Sequence, residues 1–91
     1  MSADNPTFVR ARDLLEAELG DELVALDARD GLCFGFNDVA TAIWRQLATP
    51  TALSDLVDHL VADYDVTPTQ CREDVSAALE IMAEHRLIRT I

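Results

Sequence analysis

The stretch ELVALDARDGLCFGFN, residues 22–37, predicts a β-hairpin that passes directly into a helix. Its two apolar runs flank Arg-Asp-Gly at 29–31, and Asp-Gly tolerates the positive φ that a tight turn needs. A third run, LLEAEL at 14–19, precedes it across Gly20-Asp21, a second turn signal. We therefore expect a three-stranded antiparallel meander. Its first strand is the least regular, since LLEAEL also suits a helix and glutamate and alanine are poor strand formers.

Beyond the hairpin the apolar residues recur about every 3.6 positions, which predicts helices. Asn37 is a good N-cap for a first helix that runs to about Leu47. Pro50 ends that section, and a second helix follows over about residues 54–64. The chain is therefore expected to be a mixed α+β domain in which strands precede helices.

A third helix begins with the strongest local signal in the chain, Thr67-Pro68-Thr69-Gln70. This sequence combines a threonine cap, proline at the first helical position and a glutamine suited to a capping box. The helix runs to about His85, and Ala77 and Ile81 broaden its main apolar stripe. The extra apolar surface either packs against the C-terminal LIRTI tail or forms part of a binding groove.

Length and charge exclude several classes of protein. The 91 residues leave room for one small domain, and 17 acidic side chains against 7 basic ones give a net charge of −10. Such a chain lacks the cationic surface that nucleic-acid binding requires. Its longest strictly apolar run, residues 23–26, is far shorter than the roughly 20 residues of a membrane helix. The N-terminus lacks the pattern of a secretory signal, so we expect a cytoplasmic protein that contacts no membrane.

The sequence offers no motif with the spacing of a metal or cofactor site, and the one open catalytic pairing, a cysteine with a histidine, is disfavoured because Cys33 lies in a predicted strand between apolar neighbours. His59 and His85 lie on different predicted helices, and neither has a second histidine or cysteine at metal-ligand spacing. Cys33 and Cys71 could pair, but in a reducing compartment we expect both to be small buried hydrophobic residues. Three glycines in all leave no phosphate-binding loop. We expect neither an enzyme nor a metalloprotein.

Three strings carry a family resemblance: ELVALD at 22–27, FGFN at 34–37 and ATAIW at 40–44. Together they resemble the PqqD family, with its "ELVLLD" strand, "Y-x-LN" strand end and "AxxIW" helix. The later section agrees at Pro50 followed by Leu53-Ser54-Asp55-Leu56, and at Asp74-Val75 followed by Leu79, Met82 and Leu87-Ile88. The resemblance covers about residues 14–90.

This resemblance implies a RiPP recognition element with a winged helix-turn-helix-like α+β fold, a three-stranded antiparallel sheet followed by three helices. Residues 1–13 would be a flexible N-terminal segment, and 14–91 a PqqD-like peptide-binding domain. Such a module has no active site. It binds the leader segment of a ribosomally made precursor peptide, which adds as an antiparallel strand to the third strand, and delivers it to a separate leader peptidase or other maturation enzyme. Ile43-Trp44 and FGFN look most like the stand-alone proteins of lasso peptide pathways.

The resemblance also implies where the leader lies, along the third strand and against the third helix. The expected leader-binding residues are Leu32, Cys33, Phe34, Gly35, Phe36, Cys71, Arg72, Asp74, Val75, Ala78, Leu79 and Met82. Among them Arg72 and Asp74 are expected at the rim, selecting leader charges. Phe34 and Phe36 are expected to belong more to the core than to the contact, and Trp44 wholly to the core.

Two departures and one alternative accompany the resemblance. The family commonly has glycine where Arg86 stands, which puts the shape of the third helix's end in doubt. It often has a large apolar residue where this chain has Ala78, so the space is either a pocket or is refilled by Trp44 or Phe34. The alternative function is an acidic winged-helix regulatory module that binds another protein. Coverage of the third strand by Phe8 and Val9 would favour it.

Overall fold

A computed structural model describes residues 5–91 of the chain. The described strands are β1 (Thr7–Arg10), β2 (Leu15–Leu19), β3 (Glu22–Asp27), β4 (Leu32–Phe36), β5 (Thr51–Ala52) and β6 (Ile88–Thr90). The described helices are α1 (Asp38–Gln46), α2 (Leu53–Asp63) and α3 (Pro68–Glu84). The winged helix-turn-helix-like α+β arrangement, with a three-stranded sheet before three helices, is confirmed.

The main sheet is an antiparallel meander in the order β2-β3-β4. Its two turns contain Gly20 and Gly31, with φ of +66° and +70°, values that glycine adopts without steric cost. The run LLEAEL forms a strand from Leu15 onward, so tertiary pairing outweighs the helix propensity of glutamate and alanine. The predicted meander is confirmed.

The helix starts follow the predicted capping chemistry. The Asn37 side chain accepts a hydrogen bond from the Ala40 amide at 2.9 Å, and that of Thr67 accepts one from the Gln70 amide at 3.2 Å. The Gln70 side-chain amide donates to Asp74 at 3.0 Å. The predicted threonine N-cap is thus confirmed, but the predicted capping box does not form among the described residues, because the Gln70 side chain bonds to Asp74 in the next turn.

The core lies between the inner face of the main sheet and the three helices. Its largest fully buried side chains are Leu23, Thr41, Ile43, Trp44, Leu47, Leu56, Leu60, Val75 and Leu87. Trp44, fully buried as predicted, donates its indole N–H to the Glu16 carboxylate at 3.0 Å. The Arg10 guanidinium lies 4.2 Å from the Trp44 ring centroid and donates to the Trp44 carbonyl oxygen.

A second, small sheet of order β5-β1-β6 corrects the predicted boundary at residue 14. Thr7–Arg10 belongs to the folded domain, as the middle strand of that sheet, whereas the sequence placed it in a flexible segment; residues 1–4 lie outside the described residues. The C-terminal tail forms β6 here and leaves Ile81 of α3 57% exposed. No helix within residues 5–91 is long and apolar enough to cross a membrane.

Candidate functional site

β4 is the end strand of the main sheet. It pairs with β3 on one side, and within residues 5–91 no strand pairs with its other edge. Phe8 and Val9 do not cover that edge, because β1 pairs with β5 and β6 in the small sheet. The condition that would favour a regulatory module is therefore not met, and the backbone groups along this edge are open to a further strand.

A groove of about 660 Å³ lies between β4 and α3, along this open edge. Its lining residues are Leu32, Cys33, Phe34, Gly35 and Phe36 of β4; Asn37, Val39 and Ala40 at the start of α1; Asp74, Ala77, Ala78, Ile81, Met82 and His85 at α3; and Leu87. Most of these side chains are apolar. The groove thus combines unpaired main-chain groups with an apolar wall, the two features of sites that bind extended peptides.

The polar groups of the helical wall lie at its two ends. The His85 ring meets the Phe34 ring edge-on, with centroids 5.6 Å apart and planes inclined at 64°. Asp74 lies eleven residues earlier on the helix, about 16 Å away along its axis. Between them the wall consists of Ala77, Ala78 and Ile81, with Met82 deeper. The helical wall therefore offers an apolar strip with a carboxylate at one end and an imidazole at the other.

The C-terminal end of α3 has the left-handed backbone conformation that is typical of glycine, although the residue there is Arg86. Its φ is +59°, in the left-handed region. The Arg86 amide donates to the Ala83 carbonyl at 3.0 Å, and the Leu87 amide donates to that of Met82 at 2.9 Å, the two bonds of a Schellman motif. Since Leu87 and Met82 both line the groove, this left-handed residue positions part of its wall.

Ala78 lies on the groove wall and is half-buried. Trp44 does not refill the space beside it, because that ring is in the core and does not line the groove. Phe34, half-buried, lies on the strand side of the same groove. The space left by the small side chain is therefore part of the groove.

The structure separates the predicted site residues into three groups. All five β4 residues, together with Asp74, Ala78 and Met82, line the groove. Cys71, Val75 and Leu79 are buried and do not line it. The Cys71 thiol is 3.7 Å from the Val57 carbonyl oxygen, and burial raises its pKa. These three residues belong to the core stripe of α3.

Arg72 does not lie at the groove rim. It lines a second cavity of about 440 Å³ on the other side of α3, together with Phe8 and Leu79. On a helix with 100° per residue, the groove face is centred about a quarter of a turn from the core stripe and about half a turn from the second cavity. The groove face of α3 is formed by Asp74, Ala77, Ile81 and His85.

Several groove residues were not predicted as contacts: Asn37, Val39, Ala40, Ala77, Ile81, His85 and Leu87. The sequence does contain a signal for the helical ones. Positions 74, 77, 78, 81 and 85 follow the three-four spacing of one helix face, and Ile81 is the large apolar residue on it. From the sequence, this face either packs on the C-terminal tail or forms part of a binding groove, and the structure places it along the groove.

The prediction that Cys33 is buried is wrong. Cys33 is exposed, whereas Phe36 is buried and Phe34 half-buried, because successive side chains of β4 alternate between the two faces of the sheet. The inner face packs on the helices, and Cys33 and Gly35 face outward, so these two residues border the groove along the open strand edge and not with inward side chains. Phe36 is thus a core residue as expected, and Phe34 contributes to the groove.

Arg12 connects the strand side of the groove to the end of α3, through hydrogen bonds that the sequence did not predict. Its guanidinium donates to Asp27 at 2.5 Å, to Asp30 at 2.8 Å and to the Arg86 carbonyl at 3.1 Å. It thereby joins the β3–β4 turn to the end of α3. The hydrogen bond from Arg12 lowers the pKa of the buried Asp27 carboxyl, and the backbone amides of Asp30 and Arg29 act in the same direction.

Over residues 5–91, no group of three or more His, Cys, Asp or Glu side chains is arranged to hold a metal ion. The groups that the groove offers to a ligand are the main-chain edge of β4, the apolar wall, and the polar side chains of Asp74, His85 and Asn37.

The comparisons with known proteins agree with this geometry. A solved structure of TbiB1 in complex with the TbiA(beta) leader peptide superposes with a TM-score of 0.77 at 26% sequence identity, covering 89% of this chain and 94% of that one. No curated protein sequence matches the chain. The family model for coenzyme PQQ synthesis protein D (PqqD) matches residues 22–88, from the start of β3 to the start of β6. Because that match spans about three quarters of its length, the chain belongs to the PqqD family.

Proposed function

We propose that this protein is a non-catalytic RiPP recognition element. It binds the leader segment of a ribosomally synthesised precursor peptide as an antiparallel strand on β4 and delivers it to a separate maturation enzyme. The observation that carries the proposal is the open edge of β4 beside the apolar groove. The similarity to TbiB1, solved with a leader peptide, supports it.

In strand addition, the register of the leader and the selection of its sequence depend on different parts of the site. Alternate residues of β4 direct their N–H and C=O groups toward the open edge, and these groups set the register of the incoming strand. Because side chains alternate along that strand, every second one enters the groove. The groove residues thus select sequence, while the edge accepts any extended chain without proline at a bonded position.

The composition of the groove defines the leader that fits it. Ala77 and Ala78 leave room in the groove, which Phe34 lines from the strand side, for a bulky apolar side chain of the leader, and Ile81 adds exposed apolar surface to the same helical wall. Asp74 favours a lysine or arginine at its end of the groove. We therefore assign leader contact to the β4 backbone and to Asp74, Ala78 and Met82, and we add Ala77, Ile81 and His85.

The proposed recipient of the leader is a leader peptidase, and the proposed pathway is lasso peptide biosynthesis. The argument for the pathway is the resemblance of Ile43-Trp44 and FGFN at 34–37 to the stand-alone proteins of such pathways. In this role the protein raises the local concentration of the precursor at the enzyme without breaking bonds itself.

The test is a titration of the isotope-labelled protein with leader peptides encoded near its gene, read from backbone amide shifts. We expect saturable shifts along residues 32–36 and on the groove face of α3, and none with a scrambled leader. Ile81→Glu, in the groove, should weaken binding by about tenfold or more, because it places a charge in an apolar contact. Ile91→Glu is the matched control, since Ile91 is 62% exposed and outside the groove. Binding that Ile81→Glu does not alter would refute the assignment of the groove.

A further inference from the structure

The outer face of the main sheet is apolar and uncovered by any described residue. Leu15 and Leu19 of β2 are each 64% exposed, and Leu26 of β3 is 39% exposed. Leu15 pairs directly with Leu26, and Val24, half-buried, occupies the next outward position of β3. We call this set the outer leucine face. A contiguous apolar surface of this kind marks an interaction site.

Specific contacts hold these leucines outward. The alternate residues of β2, Glu16 and Glu18, point toward the helices, where Glu16 accepts from the Trp44 indole at 3.0 Å and Glu18 pairs with Arg45 at 2.5 Å. A slip of one residue would reverse every side chain of the strand, so these contacts also determine that Leu15 and Leu19 face outward. The exposure of the leucines is thus built into the strand's alternation.

The outer leucine face continues to the edge where the leader is proposed to bind. Leu26 pairs across the sheet with Cys33 of β4, whose other edge is open. A strand added there sends alternate side chains into the groove and the remaining ones onto the outer face, next to Cys33 and Gly35. A bound leader therefore enlarges this face by one strand, and a partner resting on it touches the sheet and the leader together.

The charges around this face indicate its partner. Glu22 lies on it, paired with Leu19, and Asp21 lies in the adjoining turn. The chain carries a net charge of −10, so a second copy would bring like charge to the same face. A surface that is apolar at its centre and carries lysine or arginine at its rim is complementary.

Building on the proposed function, we propose that the outer leucine face, extended by the bound leader, is the docking surface for the maturation enzyme, which meets it with an apolar patch rimmed by basic residues. The leader strand completes the surface, so the enzyme binds the leader-loaded protein more tightly than the free one. By linkage, the enzyme tightens leader binding by the same factor.

The probe is the precursor-processing enzyme encoded beside the gene for this chain, added to the immobilised protein with and without saturating leader. We expect tighter enzyme binding with leader, and a loss of about tenfold or more in Leu15→Thr/Leu19→Thr, because truncating two central apolar contacts removes interface hot spots. Glu22→Lys should also weaken docking, most at low salt. Ile91→Thr controls for loss of an equally exposed apolar side chain elsewhere. Leader affinity, measured on each variant alone, should stay unchanged.

The outcomes separate the two proposals. Normal leader binding with enzyme docking that is absent, or that ignores the leucine and Glu22 variants, overturns the docking surface and leaves the proposed function standing. Failure of the unmodified protein to bind any nearby leader overturns both. Sedimentation velocity on the same samples tests self-association. A dimer that Leu15→Thr/Leu19→Thr abolishes would assign the outer leucine face to a second copy and overturn the enzyme assignment.

Discussion

Replacing Arg86 by glycine should make the protein more stable, although it removes a side chain. Arg86 ends α3 with φ of +59°, in the left-handed region, and its backbone makes both the Schellman bond to Ala83 and the bond from Arg12. The left-handed conformation costs an L-residue about 1–2 kcal/mol. Glycine avoids that cost but loses about 0.5–1 kcal/mol more backbone entropy on folding. The net gain is about 0.5–1 kcal/mol.

The assay is urea and thermal unfolding of Arg86→Gly beside Arg86→Ala and the unmodified protein. For a domain of this size the gain corresponds to a rise of roughly 2–8 °C in Tm. Arg86→Ala removes the same guanidinium and the same charge but keeps a Cβ in the left-handed region, so we expect its stability to stay within about 0.5 kcal/mol of the unmodified protein.

Two results would refute this reasoning. If Arg86→Ala stabilises as much as Arg86→Gly, the gain comes from loss of the guanidinium and not from the backbone. If Arg86→Gly is no more stable than the unmodified protein, the left-handed conformation carries no strain here. Leader binding provides a further check, since Leu87 and Met82 should keep their places in the groove wall and the affinity should not fall.

Three further predictions test the groove and its supports. Ala78→Leu should weaken leader binding about tenfold or more by filling the groove, while Ala62→Leu on the exposed side of α2 should not; calorimetric titration measures both. Arg10→Met should lower the free energy of unfolding by about 1–3 kcal/mol, because the Trp44 ring and carbonyl lose their partner, whereas the exposed Arg89→Met should change it by less than about 0.5 kcal/mol in urea unfolding. Since Arg12 holds the folded-state pKa of Asp27 below its ordinary 3.8, the stability that Asp27 contributes is fully present above pH 3.8 and is lost as pH falls through the lower folded value. The Tm difference between the unmodified protein and Asp27→Asn should accordingly be constant toward neutral pH and shrink in acid below pH 3.8, and a difference that grows in acid would contradict the assigned direction.

Where the determinants of an element are neighbours in sequence, the element was predictable. The two turns of the main sheet depend on Gly20 and Gly31, and the starts of α1 and α3 depend on Asn37 and Thr67, each acting within three or four residues. The alternation of β3 and the 3.6 period of the helices then specify which residues face inward. The meander and the helices therefore follow from local chemistry.

The small sheet was not predictable in this way. β1 has four residues and finds its partners at Thr51–Ala52 and Ile88–Thr90, more than forty positions away. β5 has two residues, too few to show any period. Arg10 stabilises the N-terminal strand through Trp44, a contact between distant parts of the chain. A strand whose pairing is wholly non-local leaves no pattern within its own sequence.

The candidate site was predictable as a place but not residue by residue. The β4 edge followed from the hairpin and the family resemblance. On α3, however, the core stripe through Val75 and the groove face through Ile81 are both partly apolar and lie about a quarter of a turn apart. Periodicity identifies the two stripes without saying which one the other elements cover.

By itself the sequence determined the order and type of the main elements, the family, and the net charge of −10, because these depend on composition and on patterns among near neighbours. Only the tertiary structure decided which faces are covered. It placed Cys71, Val75 and Leu79 in the core, opened the groove along Asp74 and Ile81, and turned the β2 leucines outward. The physical reason is that burial depends on how segments distant in sequence pack together. The periodicity of a segment shows only which of its side chains share a face.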